Sequence, residues 1–351
     1  MPSVTLKQIA ADLNLSLAAV STALGTKSTS KVSPKTAERV RDHARKLHYR
    51  PSLIGRSMRS RRLEQVGIVI QYDFDARVIP IVTMPAILGL DSFLRGQDWQ
   101  LNTIEDSGER IEEETLPRYL REHFLDGVVV CSTSKNRDKI LKRDFEKFSI
   151  PAIFLNAIGT HNCISIDDRF GAGVATRHLV ELGHRKLLFV GPQTDHYSGT
   201  ERMAGYRKVL EGDNIPAPVH LFPRMGVEQK LGYELRLEHN YDAGRRFVEE
   251  VYSKQQPTGI VCYDDRVAMI LMKGFFDAGI KVPTEVSVVG YNDMPFMDML
   301  TTPLTTVRTD FYMLGRFAGR MLLELIENDE SPLRSQIVKP ELVVRQSTRR
   351  M

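Results

Sequence analysis

The side chains that most often perform catalytic or metal-binding chemistry are scattered along this chain of 351 residues. Of the nine histidines, His43 and His48 are five residues apart, so one helix face would not present both to a zinc ion. The sequence contains no HExxH motif, no GxSxG nucleophile elbow and no Walker A loop. An enzyme is therefore the weaker hypothesis, and we expect no cofactor and no metal ligands.

Two further chemical signals have ordinary structural explanations. The glycine-rich stretch 171–176 has threonine where a dinucleotide-binding fingerprint needs a third glycine or alanine, and it lies too far into a helix. The three cysteines, Cys131, Cys163 and Cys262, lie in or beside apolar runs without CxxC spacing. We interpret them as reduced core residues.

A different chemistry, recognition of DNA, is indicated by Val4–Leu24. Thr5 can cap a short helix, Asn14 can adopt the left-handed conformation that ends it, and Ser16 can cap a second helix. The outward face of the second helix carries four uncharged side chains, Leu17, Ala18, Ser21 and Thr22. This layout is typical of a helix-turn-helix whose second helix enters a major groove. A small helical packing unit without a partner is the alternative.

The next segments complete the basic head of the chain. Ser33 and Pro34 begin a third helix, whose apolar stripe closes a three-helix core. The following Pro51–Arg62 is basic and has little apolar face, so by itself it indicates a flexible linker.

Charge supports the interpretation of this head as a DNA-binding domain. Through Arg62 there are 13 lysines and arginines against 3 acidic residues, a net charge of +10. Since the whole chain carries +4, the remainder carries −6. A basic head on an acidic body is typical of a nucleic-acid-binding domain joined to another domain.

From Val66 onward, short apolar runs alternate with helix-length amphipathic segments. Continuous apolar strands that alternate with helices predict parallel sheets with helices on both faces. The strands are too many for one ordinary sheet, so we expect two doubly wound α/β lobes with a ligand cleft at the carboxyl ends of the strands. We find no apolar signal sequence and no run long enough to span a membrane, and we expect a cytoplasmic protein.

Several separated motifs, from Val4 to about Val344, resemble those of LacI/GalR-family bacterial transcription regulators. The resemblance is carried by VTLKQIAADLNLSLAAVSTAL, VSPKTAERV with LHYRPS, ISIDDRFGAGVATRHLVELGHRKLLFVG, GTERMAGYRKVL, TGIVCYDDRVAM, VPTEVSVVGYNDMP and PLTTVRTDFYMLGRFA. The family implies a DNA-binding head, a hinge helix that orders on operator DNA and an effector core of periplasmic-binding-protein type. It also implies homodimers that read a near-palindromic operator.

The resemblance assigns roles in DNA binding to particular residues. It makes Pro51–Met58, with Ser52, a hinge helix rather than a linker. Met58 stands where the family has a leucine that inserts into the minor groove as a wedge. Gly55 stands where the family usually has alanine. Bases are expected to be contacted by Leu17, Ala18 and Thr22, and phosphates by Thr5, Ser16, Ser21 and Tyr49.

In the core, the resemblance implies an effector site built around Arg202, whose alternative role is an ion pair with a helix carboxylate. The other implied effector residues are Asp73, His239, Asp264, Asn292 and Asp293. Arginine, carboxylates, an amide and one flat ring suit a small polar effector such as a sugar.

We therefore expect a helix-turn-helix domain over residues 1–50, a hinge over 51–62 and a two-lobed core over 63–351. Lobe 1 is expected to comprise about 63–162 plus about 305–330, and lobe 2 about 163–304 plus about 331–351. An effector-controlled repressor is the favoured function. The alternatives are a solute-binding receptor without a transcriptional role, which the basic head opposes, and a nucleotide-dependent enzyme, which the missing motifs oppose.

Overall fold

The computed structural model of this chain describes residues 4–25, 32–50, 62–71, 83–106, 124–132, 135–194, 196–222, 242–328 and 332–351. It divides into two compact units, Met1–Glu64 and Gln65–Met351. No helix of the described residues is both long and apolar enough to cross a membrane.

The first unit is a bundle of three helices, as the sequence predicts. They are α1 (Leu6–Leu13), α2 (Leu17–Ala23) and α3 (Pro34–Lys46). Ile9, Val20 and Val40 contribute one fully buried side chain from each helix to a common core. Burial of each such side chain stabilises the unit by about 1.5–3 kcal/mol.

The ends of these helices are fixed by the predicted caps. The hydroxyl of Thr5 accepts a hydrogen bond from the Gln8 amide at 3.3 Å, and that of Ser16 accepts one from the Ala19 amide at 3.1 Å. Asn14 has φ 50°, the left-handed conformation expected of it. The turn of the helix-turn-helix is therefore encoded locally by three short polar side chains.

The second unit contains two six-stranded sheets. The first has the order β11-β5-β4-β3-β1-β2, and all of its strand pairs are parallel. Its strands are β1 (Gln65–Gln71), β2 (Gln100–Asp106), β3 (Gly127–Cys131), β4 (Ala152–Leu155), β5 (Cys163–Ile166) and β11 (Gln336–Val338).

The second sheet has the order β12-β10-β9-β8-β6-β7. Its strands are β6 (Leu187–Pro192), β7 (Val219–Phe222), β8 (Gly259–Cys262), β9 (Ser287–Asn292), β10 (Thr305–Arg308) and β12 (Glu341–Val343). The edge strand β12 is antiparallel to β10, whereas β10, β9, β8, β6 and β7 run parallel to one another. The predicted pair of doubly wound α/β lobes is confirmed.

Helices cover both sheets. Lobe 1 carries α4 (Thr83–Arg95), α5 (Lys135–Lys147) and α9 (Phe311–Glu327). Lobe 2 carries α6 (Asp168–Glu181), α7 (Tyr197–Gly212) and α8 (Asp265–Asp277), together with helical residues 242–255, which include the π-helical turn Val248–Tyr252. The amphipathic segment over 111–123 lies outside the described residues.

The predicted boundaries between the lobes need correction. Cys163–Ile166 pairs with β4 in the first sheet, although we assigned it to lobe 2, and Gln336–Val338 also joins the first sheet, beside β5. Thr305–Arg308 pairs with β9 in the second sheet, although we assigned it to lobe 1. The chain thus crosses between the lobes after β5, after β10 and after β11. A short apolar strand has the same sequence pattern in either sheet, because only the strands that pair with it identify the sheet to which it belongs.

Candidate functional site

A cavity of about 100 Å³ lies between the two lobes. Asn156 follows β4 and Phe311 begins α9, so these two residues belong to lobe 1. The remaining lining residues come from lobe 2 and are His196, Ser198, Arg202, Tyr263, Asp264, Arg266, Asn292 and Met294. Most of them lie at the carboxyl ends of strands or the first turns of helices, where ligands bind in folds of this kind.

Arg202 lines the cavity but is engaged within the protein. It is 5% exposed, and its Nε donates to Oδ1 of Asp168 at 2.7 Å while Nη1 donates to the Tyr263 carbonyl at 2.6 Å. The guanidinium carbon also lies 3.7 Å from the centroid of the Tyr291 ring. Burial is the largest influence on Arg202 and lowers its pKa, but Asp168, Tyr263 and Tyr291 together outweigh it, so the pKa of Arg202 is raised. The ion pair with a helix carboxylate, the alternative role of Arg202, is therefore present.

Asp264 is also occupied by internal contacts. One carboxylate oxygen accepts from the Val267 amide at 2.9 Å and caps α8, and the other accepts from Nε and Nη2 of Arg266 at 3.0 and 2.9 Å. The Asp264 charge raises the pKa of Arg266. The side chain of Arg266 is 63% exposed, so its remaining donors can reach a ligand. Asp264 therefore positions the group that meets the cavity.

Asn292 and Asp293, which were predicted as a pair, have different environments. Asn292 ends β9 with φ 106°, a conformation that non-glycine residues rarely adopt. Its Oδ1 atom is buried at the cavity and has no hydrogen-bond partner among the described residues. Asp293 is not among the lining residues; instead it pairs with Arg308 and Arg345, each at 2.7 Å. The expectation that Asp293 faces the cleft is corrected by these two ion pairs, which occupy its carboxylate.

A polar clasp joins the lobes at the edge of the cavity. Nε2 of His196 donates to the backbone carbonyl of Asn156 at 3.0 Å, and the Tyr197 hydroxyl donates to Oδ1 of Asn156 at 3.0 Å. The clasp is extended within lobe 2, because Nδ1 of His196 lies 2.7 Å from the Ser198 hydroxyl, which lies 2.7 Å from that of Tyr263. Asn156 itself has φ 60°. We call His196, Tyr197 and Asn156 the clasp.

In the first unit, the predicted base-reading side chains lie on the surface of α2. Leu17 is 45% exposed and Ala18 is exposed, whereas Ser21 and Thr22 are partly buried. The hydroxyl oxygens of Thr5 and Ser16 accept amide hydrogens at the helix ends, which leaves the hydroxyl protons for a phosphate. Tyr49 packs against the three-helix core.

Two of the basic residues of this unit have structural roles. Arg39 donates to the Leu13 carbonyl at 2.7 Å, and Arg41 donates to the Ala23 carbonyl at 3.1 Å. These bonds connect α3 to the carboxyl ends of α1 and α2, where cations are favourable. Arg39 and Arg41 therefore help to hold the three helices together.

Several predicted site residues lie outside the described residues. They are Ser52, Gly55 and Met58 of the hinge and Asp73 and His239 of the effector site. Within the described part of the chain, no cluster of three or more His, Cys, Asp or Glu side chains could hold a metal ion.

Sequence reasoning missed some of the residues that line the cavity, although signals for them existed. Asn156 directly follows the apolar run AIFL, and Tyr263 directly follows GIVC, so the rule that ligands meet strand ends selects both. His196 and Ser198 begin the helix that carries Arg202. For Arg266 the sequence offered only its place beside Asp264.

Comparison with known proteins gives a consistent pattern. Residues 176–348 match the family model of the periplasmic binding protein-like domain. Over 98% of this chain and 99% of its own length, the HTH-type transcriptional regulator RegA of Clostridium saccharobutylicum is 26% identical. The arabinose metabolism transcriptional repressor of Geobacillus stearothermophilus is 27% identical over 81% of this chain and 76% of its own length. Both of these relatives are named as regulators of transcription.

Solved structures share the fold. The lac repressor dimer bound to operator and the anti-inducer ONPF has a TM-score of 0.78 at 22% identity, covering 99% of this chain and 100% of that chain. A LacI family transcriptional regulator from Enterococcus faecium, with bound ribose, has a TM-score of 0.64 at 19% identity. It covers 82% of this chain and 99% of that one.

Proposed function

We propose that the chain is a member of the LacI/GalR family of transcriptional regulators and that it represses transcription as a homodimer whose operator affinity is set by a small polar effector bound between the lobes of its core. The observation that carries the effector part of this proposal is the unpartnered Oδ1 of Asn292, buried at an interlobe cavity. A buried acceptor without a partner costs stability, which a ligand hydroxyl would restore.

The surface of α2 supports sequence-specific DNA binding. Leu17 and Ala18 are exposed and apolar, so they can read thymine methyl groups, and Thr22 lies one turn further along the helix. The hydroxyls of Thr5 and Ser16, with those of Ser21 and Tyr49, would position the helix against phosphates. The same basic, helical head opposes the alternative of a solute-binding receptor.

The hinge part of the proposal rests on the sequence. We propose that 51–58 forms a short helix on the operator, with Ser52 near its start, and that Met58 inserts into the minor groove as an apolar wedge. Gly55 replaces a helix-favouring alanine, which costs the helix about 1 kcal/mol.

The charges at the cavity favour an uncharged effector. The guanidinium of Arg202 is paired with Asp168, and that of Arg266 with Asp264, so each positive charge has an internal counterion. What remains for a ligand is a set of hydrogen-bonding groups, namely the side-chain amide of Asn292 and the outer face of Arg266. Several donors and acceptors without excess charge suit a polyhydroxylated molecule such as a sugar.

The size of the cavity connects effector binding to movement of the lobes. Its volume of about 100 Å³ is below the roughly 300–1,000 Å³ of ordinary ligand pockets. We therefore propose that the described arrangement is a closed one and that effector binding widens the cleft and loosens the clasp. A ligand changes the balance between two arrangements only if its affinity for them differs. Release from DNA and co-repression would both use this movement of the lobes, with opposite effects on operator affinity.

Exposed apolar side chains support the homodimer. Met84 and Leu88 lie on the outer surface of α4, and Met269 and Phe276 on that of α8, with Phe276 73% exposed. Met84 and Leu88 are four residues apart and share one face of α4, and contiguous exposed apolar side chains are typical of an association surface. A twofold dimer would present two heads to two half-sites, so the operator should be nearly palindromic. We propose that the protein acts in the cytoplasm, where it binds DNA.

A thermal-shift screen of monosaccharides, disaccharides and nucleobases tests the effector proposal. A ligand that binds the folded chain raises the unfolding temperature in proportion to the logarithm of its concentration. We expect a neutral sugar or a close derivative to produce the largest shift. A shift produced only by anionic ligands would contradict the uncharged class of effector.

A further inference from the structure

A second, larger cavity of about 470 Å³ lies beside the first, also between the lobes. Its floor is apolar and is made by Phe154, Ala157, Ile158 and Cys163 of lobe 1. Its walls are α5 on one side and Tyr197 and Glu201 of α7 on the other. The volume falls within the usual range of small-molecule sites.

The rim of this cavity carries a row of three cations. Lys135, Lys139 and Lys142 are spaced at i, i+4 and i+7 along α5, so they share one helix face. Within the described part of the chain, no carboxylate lies within ion-pairing distance of any of the three ammonium groups. Three like charges in a row repel one another and are not a device for stabilising a helix.

The acidic residues at the cavity do not cancel this charge. Glu201 is paired with Arg169, whose Nε lies 2.9 Å from Oε2 of Glu201. Asp138 accepts a hydrogen bond from the Ser132 hydroxyl but keeps its negative charge, so the three lysines and Asp138 together carry a charge of +2. The cavity therefore combines an apolar floor with a rim of net positive charge, in contrast to the internally balanced first cavity.

We propose that this second cavity binds an amphipathic organic anion, whose apolar part lies on the floor and whose carboxylate, sulfonate or phosphate is held by Lys139 and Lys142. Burial of an apolar group contributes roughly 25 cal/mol per Å² removed from water, and hydrogen bonds from ammonium to an anion are stronger than neutral ones. Together the two features select molecules that have both parts.

The position of Tyr197 connects this site to the first one. Its ring lines the second cavity, while its hydroxyl donates to Oδ1 of Asn156, which lines the first. A ligand beside Tyr197 touches both lobes and favours the arrangement in which the clasp is closed. The coupling to the first cavity rests on the proposed function, but binding of the anion does not.

Titration calorimetry with 1-naphthalenesulfonate, and with neutral 1-naphthalenemethanol as the matched probe, tests the site in the full-length protein. The wild type should bind the sulfonate at one site per chain at least tenfold more tightly than the alcohol. The double variant Lys139→Glu, Lys142→Glu should lose that preference. Lys147→Glu, on the same helix but not at the cavity, should keep it.

A variant of the floor separates this site from general charge effects. Ile158 is 60% exposed, so Ile158→Asn, which adds no charge, should fold, yet it should weaken binding of both probes. Circular dichroism and the unfolding temperature verify that each variant is folded. Absence of sulfonate binding by the wild type, or equal preference for the sulfonate in wild type and double variant, would overturn the proposal. Neither result would bear on the first cavity, whose ligand is read out separately by the sugar screen.

Discussion

The Nε atom of Arg202 donates to Oδ1 of Asp168 at 2.7 Å, and both side chains are buried, with 5% and 0% of their surfaces exposed. This pair joins α7 to α6 within lobe 2. The arginine that sequence resemblance selects as a ligand residue is thus also part of the lobe's framework. Removing it would alter the fold as well as the cavity.

We predict that Arg202→Ala destabilises the protein by about 3–5 kcal/mol, because it leaves Asp168 buried and without its counterion. Urea unfolding followed by circular dichroism measures the change. Arg207→Ala, an exposed position on the same helix, is the control and should change stability by less than about 0.5 kcal/mol. A loss of less than about 1 kcal/mol in Arg202→Ala would show that the pair does not hold the helices together.

Gly205 allows α6 and α7 to approach closely, since a Cβ atom there would lie 2.1 Å from the Arg169 carbonyl oxygen. Gly205→Ala should therefore force the helices apart and destabilise the protein by about 1–3 kcal/mol, despite the better helix propensity of alanine. Gly212→Ala, in the last turn of α7, meets no atom within 4 Å and should be neutral or stabilising. Thermal unfolding of the two variants side by side distinguishes them, and equal midpoints would refute the close approach.

We predict that protonation of Asp265 makes the free energy of unfolding depend on pH. It is fully buried, and burial raises its pKa from 3.8 to about 7, although Thr306 and the Met294 amide donate to it. The folded state therefore holds the proton more tightly than the unfolded state does. The free energy of unfolding should fall as pH rises from about 4 to about 7, by up to about 4 kcal/mol from this group.

Asp265→Asn removes this titration. The stability difference between wild type and variant, measured by urea unfolding at pH 5 and pH 8, should move in favour of the variant at the higher pH. Parallel pH profiles for the two proteins would mean that Asp265 does not carry the effect.

Substitution of Arg266 tests the first cavity with little change to the fold, because its side chain is exposed. Asp264 still accepts a hydrogen bond from the Val267 amide and caps α8 without it. We expect Arg266→Gln to weaken effector binding at least tenfold in calorimetry and to destabilise the free protein less than Arg202→Ala does, because the glutamine amide can still donate to Asp264. Arg245→Gln, an exposed arginine outside the cavity, should bind the effector like the wild type. Unchanged affinity in Arg266→Gln would remove this residue from the site.

The elements that the sequence predicted well are those encoded by local signals. Thr5, Asn14 and Ser16 determine the ends of α1 and α2 through bonds within four residues, so the helix-turn-helix could be predicted before any fold was known. Runs such as Gly127–Cys131 and Cys262 with its neighbours are buried throughout, so strand type also followed from composition.

Pairings between distant segments could not be predicted in this way. Whether Cys163–Ile166 belongs to the first or the second sheet depends on β4 and β11, which lie far apart in the sequence. The same is true of Asp293, because nothing local identifies Arg308 and Arg345 as its partners. Site residues matched by motif therefore divide into those that line the cavity, such as Asn292, and those that are occupied by ion pairs away from it, such as Asp293.

Control of operator affinity by the effector is the central claim, and titration of a selected operator tests it. Duplexes selected from a random library should contain an inverted repeat, and their affinity should fall steeply with salt because phosphate contacts dominate binding. Adding the effector found by the thermal-shift screen should change the operator dissociation constant of the wild type by about 5- to 150-fold, in one direction or the other. An operator affinity that is the same with and without saturating effector would contradict the account.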